Sequence, residues 1–242
     1  MGIRGVRYTK QAELAGPRTA VSIDEAVSRV KKMAAIKGDR SYKNGRKRKA
    51  GDQTVELSLH LGIDAKNAEQ MLRGAISLPK GIGKSRRVIA FCDAAIAEQA
   101  KQAGAVEAGA EALVAKVEGG WFDFDVAIAH PSMMGKVGKL GRVLGPQGKM
   151  PTPKAGTVTA DVAKTVQEFA AGRIEFRNDD GGNVHIPVGR VSFTEEDLKA
   201  NVQAAIEHFS RIKPPTAKGH YFKRVCLSAT HTPSVTVAVG GS

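Results

Sequence analysis

Apolar and polar residues alternate strictly along residues 54–61, TVELSLHL. Val55, Leu57, Leu59 and Leu61 fall on one side, Glu56, Ser58 and His60 on the other. A period of two predicts a strand with one face in a core and the other left for a partner. Upstream, Ser22-Ile-Asp-Glu25 has the form of a capping box, and Ala26, Val27, Val30 and Met33 follow at helical spacing. Residues 1–21, polar and basic, are expected to form an extended arm. Residues 65–73 read as a helix, 75–78 as a short strand and 79–83 as a flexible connection.

From Arg86 the pattern changes. RRVIAFC predicts a strand, DAAIAEQAKQAGA and AEALVAKVEGG helices, FDVAIAH a strand, and residues 160–171 a returning helix. Strands alternating with helices imply a small parallel-sheet domain. From Arg173 an antiparallel pattern resumes. RIEFRN and NVHIPVG flank Asp179-Asp-Gly-Gly182, which predicts a hairpin turn. Thr194 opens a long helix with Leu198, Val202, Ala205, Ile206 and Phe209 on one face, stopped by Pro214-Pro215. Residues 222–230 and 234–239 predict a closing hairpin around Thr232-Pro233. The fold class is therefore α/β, with a discontinuous α+β domain (1–80 and 172–242) and an inserted domain (81–171). The crossings at 79–83 and 170–173 carry Gly81, Gly83 and Gly172, which suits a hinge.

Charge narrows the function classes. The chain has 242 residues and a formal net charge of +13, from 37 Lys+Arg against 24 Asp+Glu. A solvated surface does not need that excess, whereas a polyanionic partner explains it through counterion release. Apolar residues make up 42% of the chain, enough for real cores and against disorder. No apolar run approaches the ~18 residues of a membrane span. Arg4, Arg7 and Lys10 have no apolar stretch behind them, so no secretory signal is expected. The two cysteines, Cys92 and Cys226, are expected to be buried thiols in a reducing cytosol. No cofactor or metal is expected. The six histidines show no ligand spacing, and neither a GxSxG nor an HExxH motif occurs. Gly81-Ile-Gly83-Lys84-Ser85 lacks the first glycine of a phosphate loop and precedes a strand.

Two segments carry concentrated basic chemistry. Residues 38–51, GDRSYKNGRKRKAG, hold six Lys/Arg and one acid, Asp39, and predict a basic loop. Residues 133–159, MMGKVGKLGRVLGPQGKMPTPKAGTVT, hold Lys136, Lys139, Arg142, Lys149 and Lys154 and no acid. Six glycines and three prolines are interspersed, among them Gly145. Glycine lets a backbone approach a phosphate closely, and proline limits the entropy a loop loses. The segment is expected to be a long loop with a polyanion as its partner.

Several of these stretches resemble one family. LGRVLGPQGKMPTPKAGTV is similar to the signature of the ribosomal protein L-one family (large-subunit protein number one). LSLHLGID, RGAISLPKGIGK, GWFDFDVAIA and AGRIEFRND each resemble a family segment, so the likeness runs from about Ser22 to about Val239. The resemblance implies an RNA-binding discontinuous domain with a split β-α-β sheet and an inserted Rossmann-like three-layer domain. It implies a non-enzymatic protein, a monomer within the large ribosomal subunit in the cytoplasm. Its implied partners are the rRNA of the mobile stalk, exit-site tRNA and its own operon mRNA, which it would repress. The implied RNA contacts are Lys49, Thr54 and Glu56, then the turn Thr230, His231 and Thr232. This turn keeps the family's threonine and departs at the next two positions. The basic insertion 38–51 stands where most relatives carry a Lys-Phe pair; phosphate contacts and stacking by Tyr42 are expected to compensate. Two other classes compete: a nucleotide-dependent enzyme and a non-specific RNA chaperone. The former predicts glycine at the strand–helix turn, which here reads Phe91-Cys92-Asp93-Ala94.

Overall fold

The computed structural model describes residues 6–17, 19–36, 52–67, 69–217 and 219–239. The basic insertion, with Tyr42 and Lys49, lies outside the described residues. In chain order the main elements are α1 (Val6–Ala15), α2 (Ile23–Ala35), β1 (Thr54–Leu61), β2 (Arg73–Ile76), β3 (Val88–Phe91), α3 (Ala94–Gln102), β4 (Glu107–Gly109) and α4 (Glu111–Glu118). There follow β5 (Val126–Ala129), the one-turn helices α5 (Met134–Val137) and α6 (Gly141–Leu144), α7 (Val162–Ala170), β6 (Ile174–Arg177), β7 (Asn183–Arg190), α8 (Glu195–Arg211), β8 (Phe222–Ala229) and β9 (Val235–Thr236). They divide into two compact units. One takes the chain up to Leu72, Leu78–Gly83, and from Arg177 onward; the other takes Arg73–Ser77 and Lys84–Phe176.

In the first unit the sheet order is β7-β1-β8-β9. β1 is antiparallel to both β7 and β8, so β7, α8 and β8 form a split β-α-β around it. The alternation in β1 has its expected effect: Val55, Leu57, Leu59 and Leu61 are buried. They lie with Val184, Ile186, Val188, Val225 and Leu227 in one core face. α2 and α8 supply the opposing layer through Val27, Val30, Met33, Leu198, Val202 and Phe209, all buried. Both helices begin at a side-chain cap. Ser22 accepts from the Glu25 N–H and Thr194 from the Asp197 N–H.

The extended arm expected at the start is instead a helix over Val6–Ala15. Gln11 is buried there and donates its amide to the Met33 carbonyl at 2.9 Å, fixing α1 on α2. The helix expected at 65–73 is absent. Asp64 and Asn67 accept from the N–H groups of Lys66 and Glu69, each two residues on, and these local bonds compete with helical ones. The turn at 179–182 exists, closed by Gly182 donating to the Asp179 carbonyl. Its flanking strands do not form a hairpin ladder: β6 pairs with β2 and β7 with β1, and a single bridge, Asn178 to Val184, joins their ends.

The second unit holds a parallel sheet, order β4-β3-β5. β3 and β5 are buried on both faces, as parallel strands under helices are. Val88, Ala90, Val126 and Ile128 meet α3 and α7 through Ala97, Ala100, Val166 and Phe169. Ile89, Phe91, Ala127 and Ala129 meet the other layer through Leu113, Val117, Val137, Leu140 and Leu144. Three layers result. The glycine-rich segment, expected as a loop, thus forms short helical turns whose apolar side closes the second core.

Asn201 of α8 is completely buried and tests this packing. Its amide donates to the carbonyls of Gly81 (2.9 Å) and Val188 (2.7 Å), and its oxygen accepts from the Lys80 N–H (3.0 Å). Replacing it by alanine removes the partner of three backbone groups, the Val188 carbonyl among them fully buried. Asn201→Ala is expected to destabilise the chain by roughly 2 kcal/mol or more, read as a lower denaturant midpoint.

Candidate nucleic-acid interface

The second face of the β7-β1-β8-β9 sheet carries no core residues, and the register sets its rows. Glu56 stands between Pro187 and Ser228. Ser58 stands between His185 and Cys226, and Thr236 lies beyond Cys226. His60 stands between Asn183 and Arg224. Every one of these residues is exposed or half-buried. Most are neutral hydrogen-bonding groups; Glu56 is the acid and Arg224 the fixed cation. Two internal bonds order the face: Ser58 Oγ to His185 Nδ1 at 3.1 Å, and His60 Nδ1 to Asn183 Oδ1 at 2.6 Å.

At the start of β1 the turn 230–233 folds onto Thr54. The Thr54 N–H donates to Thr230 Oγ1 (3.2 Å), and the Thr230 N–H donates to the Thr54 carbonyl (3.0 Å). The structure therefore brings Thr54, Glu56 and Thr230 together at one corner. Thr232 is occupied differently. Its hydroxyl accepts from the Ala229 N–H and donates to the Ala229 carbonyl, closing its own turn. His231 between them has φ 65°, a left-handed backbone that a non-glycine residue adopts at a cost. It is exposed. Lys49 lies outside the described residues.

The basic residues of 133–159 lie in the second unit. Met133, Val137, Leu140 and Leu144 are buried at spacings of four, three and four, which directs the intervening residues outward. Lys136, Lys139, Arg142, Gly145 and Lys154 are exposed. Lys136 pairs with Glu111 at 2.6 Å, and this contact holds the Glu111 carboxyl below its ordinary range. Lys149 is turned inward. It donates to the Phe122 carbonyl (3.0 Å) and sits 4.9 Å from the centre of the Phe124 ring. Lys139, Arg142 and Lys154 make no ion pair among the described residues.

A family model, the Ribosomal protein L1p/L10e family, matches residues 40–233. The chain belongs to this family. As a member of the ribosomal protein L1p/L10e family it is a ribosomal protein that binds rRNA in the large subunit, and the family is a structural one. Among the described residues no helix is long and apolar enough to cross a membrane. Asp93 caps α3 at the end of β3, without a side-chain bond to the helix. It puts a carboxylate where a nucleotide enzyme would seat a phosphate on the helix N-terminus.

Alternation in the sequence identified Glu56, Ser58 and His60 as the outer side of β1. It did not identify His185, Asn183, Arg224 and Cys226 as their neighbours, because strand pairing sets that. Thr232 separates a turn-closing role from a ligand-touching one. Thr232→Val is expected to lower stability by about 1 kcal/mol, seen in thermal unfolding.

Proposed function

We propose that the open sheet face of the first unit, with the Thr54–Glu56–Thr230 corner, docks on the mobile-stalk hairpin of large-subunit rRNA. The observation that carries this is the composition of the face: rows of mostly neutral donors and acceptors, with the acid Glu56 in one end row and the cation Arg224 in the other. Such a surface suits 2′-hydroxyls and exposed base edges better than a row of phosphates. Glu56 then accepts from a base amino group or a 2′-hydroxyl. On the same reading the protein sits on cytoplasmic ribosomes, assists release of deacylated tRNA from the exit site, and represses its own operon mRNA through a fold like the rRNA stalk. Those three roles rest on family membership, and the sheet face supplies the RNA contact that each needs.

The basic, glycine-bearing turns of the second unit act as an additional contact with the phosphodiester backbone. Gly135 and Gly138 are exposed, and a Cβ added at either would meet nothing within 4 Å. Neither has a positive φ. Internal packing therefore gives no reason for glycine there, although it costs about 0.5–1 kcal/mol per helical position relative to alanine. Close approach by a polynucleotide does give one.

Two measurements test the proposal. Binding of a transcript of the rRNA stalk, compared with random RNA of equal length, should favour the stalk. Glu56→Gln should leave folding intact and weaken the stalk complex more than the random one; equal loss on both argues against a specific role. In the second unit, Gly135→Ala and Gly138→Ala should each raise the melting temperature and yet weaken RNA binding. Tighter or unchanged binding would remove the backbone-approach role.

A further inference from the structure

The first unit carries a cationic pole at the end of the sheet face opposite Glu56, and a break in strand register makes it. β1 and β8 pair His60 with Arg224 and then Leu61 with Phe222, so Lys223 is an extra residue in β8. In a regular strand, neighbouring residues point to opposite faces. A bulge re-aims one of them. Here Lys223 and Arg224 are both exposed, side by side in sequence, at the end of the His60–Asn183 row. Neither side chain makes an ion pair or hydrogen bond among the described residues.

Lys223 lines a preformed hollow. A cavity of about 570 Å³ is lined by Gly62, Ile63, Asp64, Gln70, Thr216, His220 and Lys223. Its two rims are tied together. Gly62 donates to the Tyr221 carbonyl at 2.7 Å, and the Gln70 amide donates to the Thr216 carbonyl at 3.3 Å. A Cβ at Gly62 would lie 2.3 Å from the His220 carbonyl oxygen, so the rims meet there only through glycine. The opposite end of the face is acidic or neutral. Glu56 is exposed there, and the Arg190 side chain nearby is engaged by Asp52.

We propose that Lys223, with the cavity it lines, and the adjacent Arg224 form a phosphate-binding site for the RNA backbone. It fixes the direction in which RNA lies across the face. Phosphates meet the bulged end of β8, and sugar and base edges meet the Glu56 end. The exposed Asp64 on the cavity rim limits the site to one or two phosphates by repelling further ones. A phosphodiester is the matching ligand: two unpaired cations continue a face of neutral donors and acceptors, and the chain as a whole carries +13. The assignment rests on the RNA-binding function proposed above.

Titration of the stalk transcript against wild-type, Lys223→Ala, Arg224→Ala, Lys223→Arg and Ser58→Ala proteins, across a series of KCl concentrations, tests it. Each alanine variant at the pole should flatten the plot of log affinity against log salt by about 0.7–1. Lys223→Arg should restore the wild-type slope. Ser58→Ala, in the neutral row, should keep that slope even if affinity falls. Unchanged slopes in both pole variants, with tight wild-type binding, would overturn this site and leave the broader function standing. A wild-type chain that ignores the transcript would overturn both.

Discussion

Everything the first unit presents to a partner depends on the burial of one side of β1. Val55, Leu57, Leu59 and Leu61 are at most 1% exposed. Moving one of them outward would move all four, because a one-residue slip inverts a strand. β7 and β8 hold β1 on both sides, so its backbone groups are paired while its outer side chains stay open. The apolar side thus fixes which polar groups share a row on the other. The chemistry of the interface is a by-product of the register that the core enforces.

The sequence was most legible where period and packing agreed. The β1 alternation, the Ser22 and Thr194 caps and the buried stripe of α8 all appear as expected, because each is a local signal with a direct physical effect. The two failures have different causes. At 65–73, Asp64 just before the segment and Asn67 within it take backbone N–H groups before a helix can. α1 is held on α2 by Gln11 donating to the Met33 carbonyl and by Arg29 donating to the Ala15 carbonyl, partners that nothing in the first fifteen residues reveals.

The glycine-rich segment shows a different difficulty. Its glycines and prolines argue for a loop, and they mask Met133, Val137, Leu140 and Leu144, spaced as on a helix that buries one side. Of its cations, Lys149 serves the fold, Lys136 is engaged by Glu111, and Lys139, Arg142 and Lys154 face solvent. Charge counting could not separate these roles. In the same way, Thr230 and Thr232 are neighbours in one motif, yet one ties the turn to β1 and the other closes the turn on itself.

The topology of the split β-α-β also governs how the chain can assemble as it is made. β1 is complete at Leu61, but its partners begin only at Asn183 and Phe222. At ordinary rates of translation the strand waits on the order of ten seconds for its first neighbour. During that interval its four apolar side chains have no sheet to join, whereas β3, β4 and β5, close together in the chain, can pair soon after they emerge. Sequence separation thus puts completion of the first unit's sheet after the strands of the second unit are all available to pair.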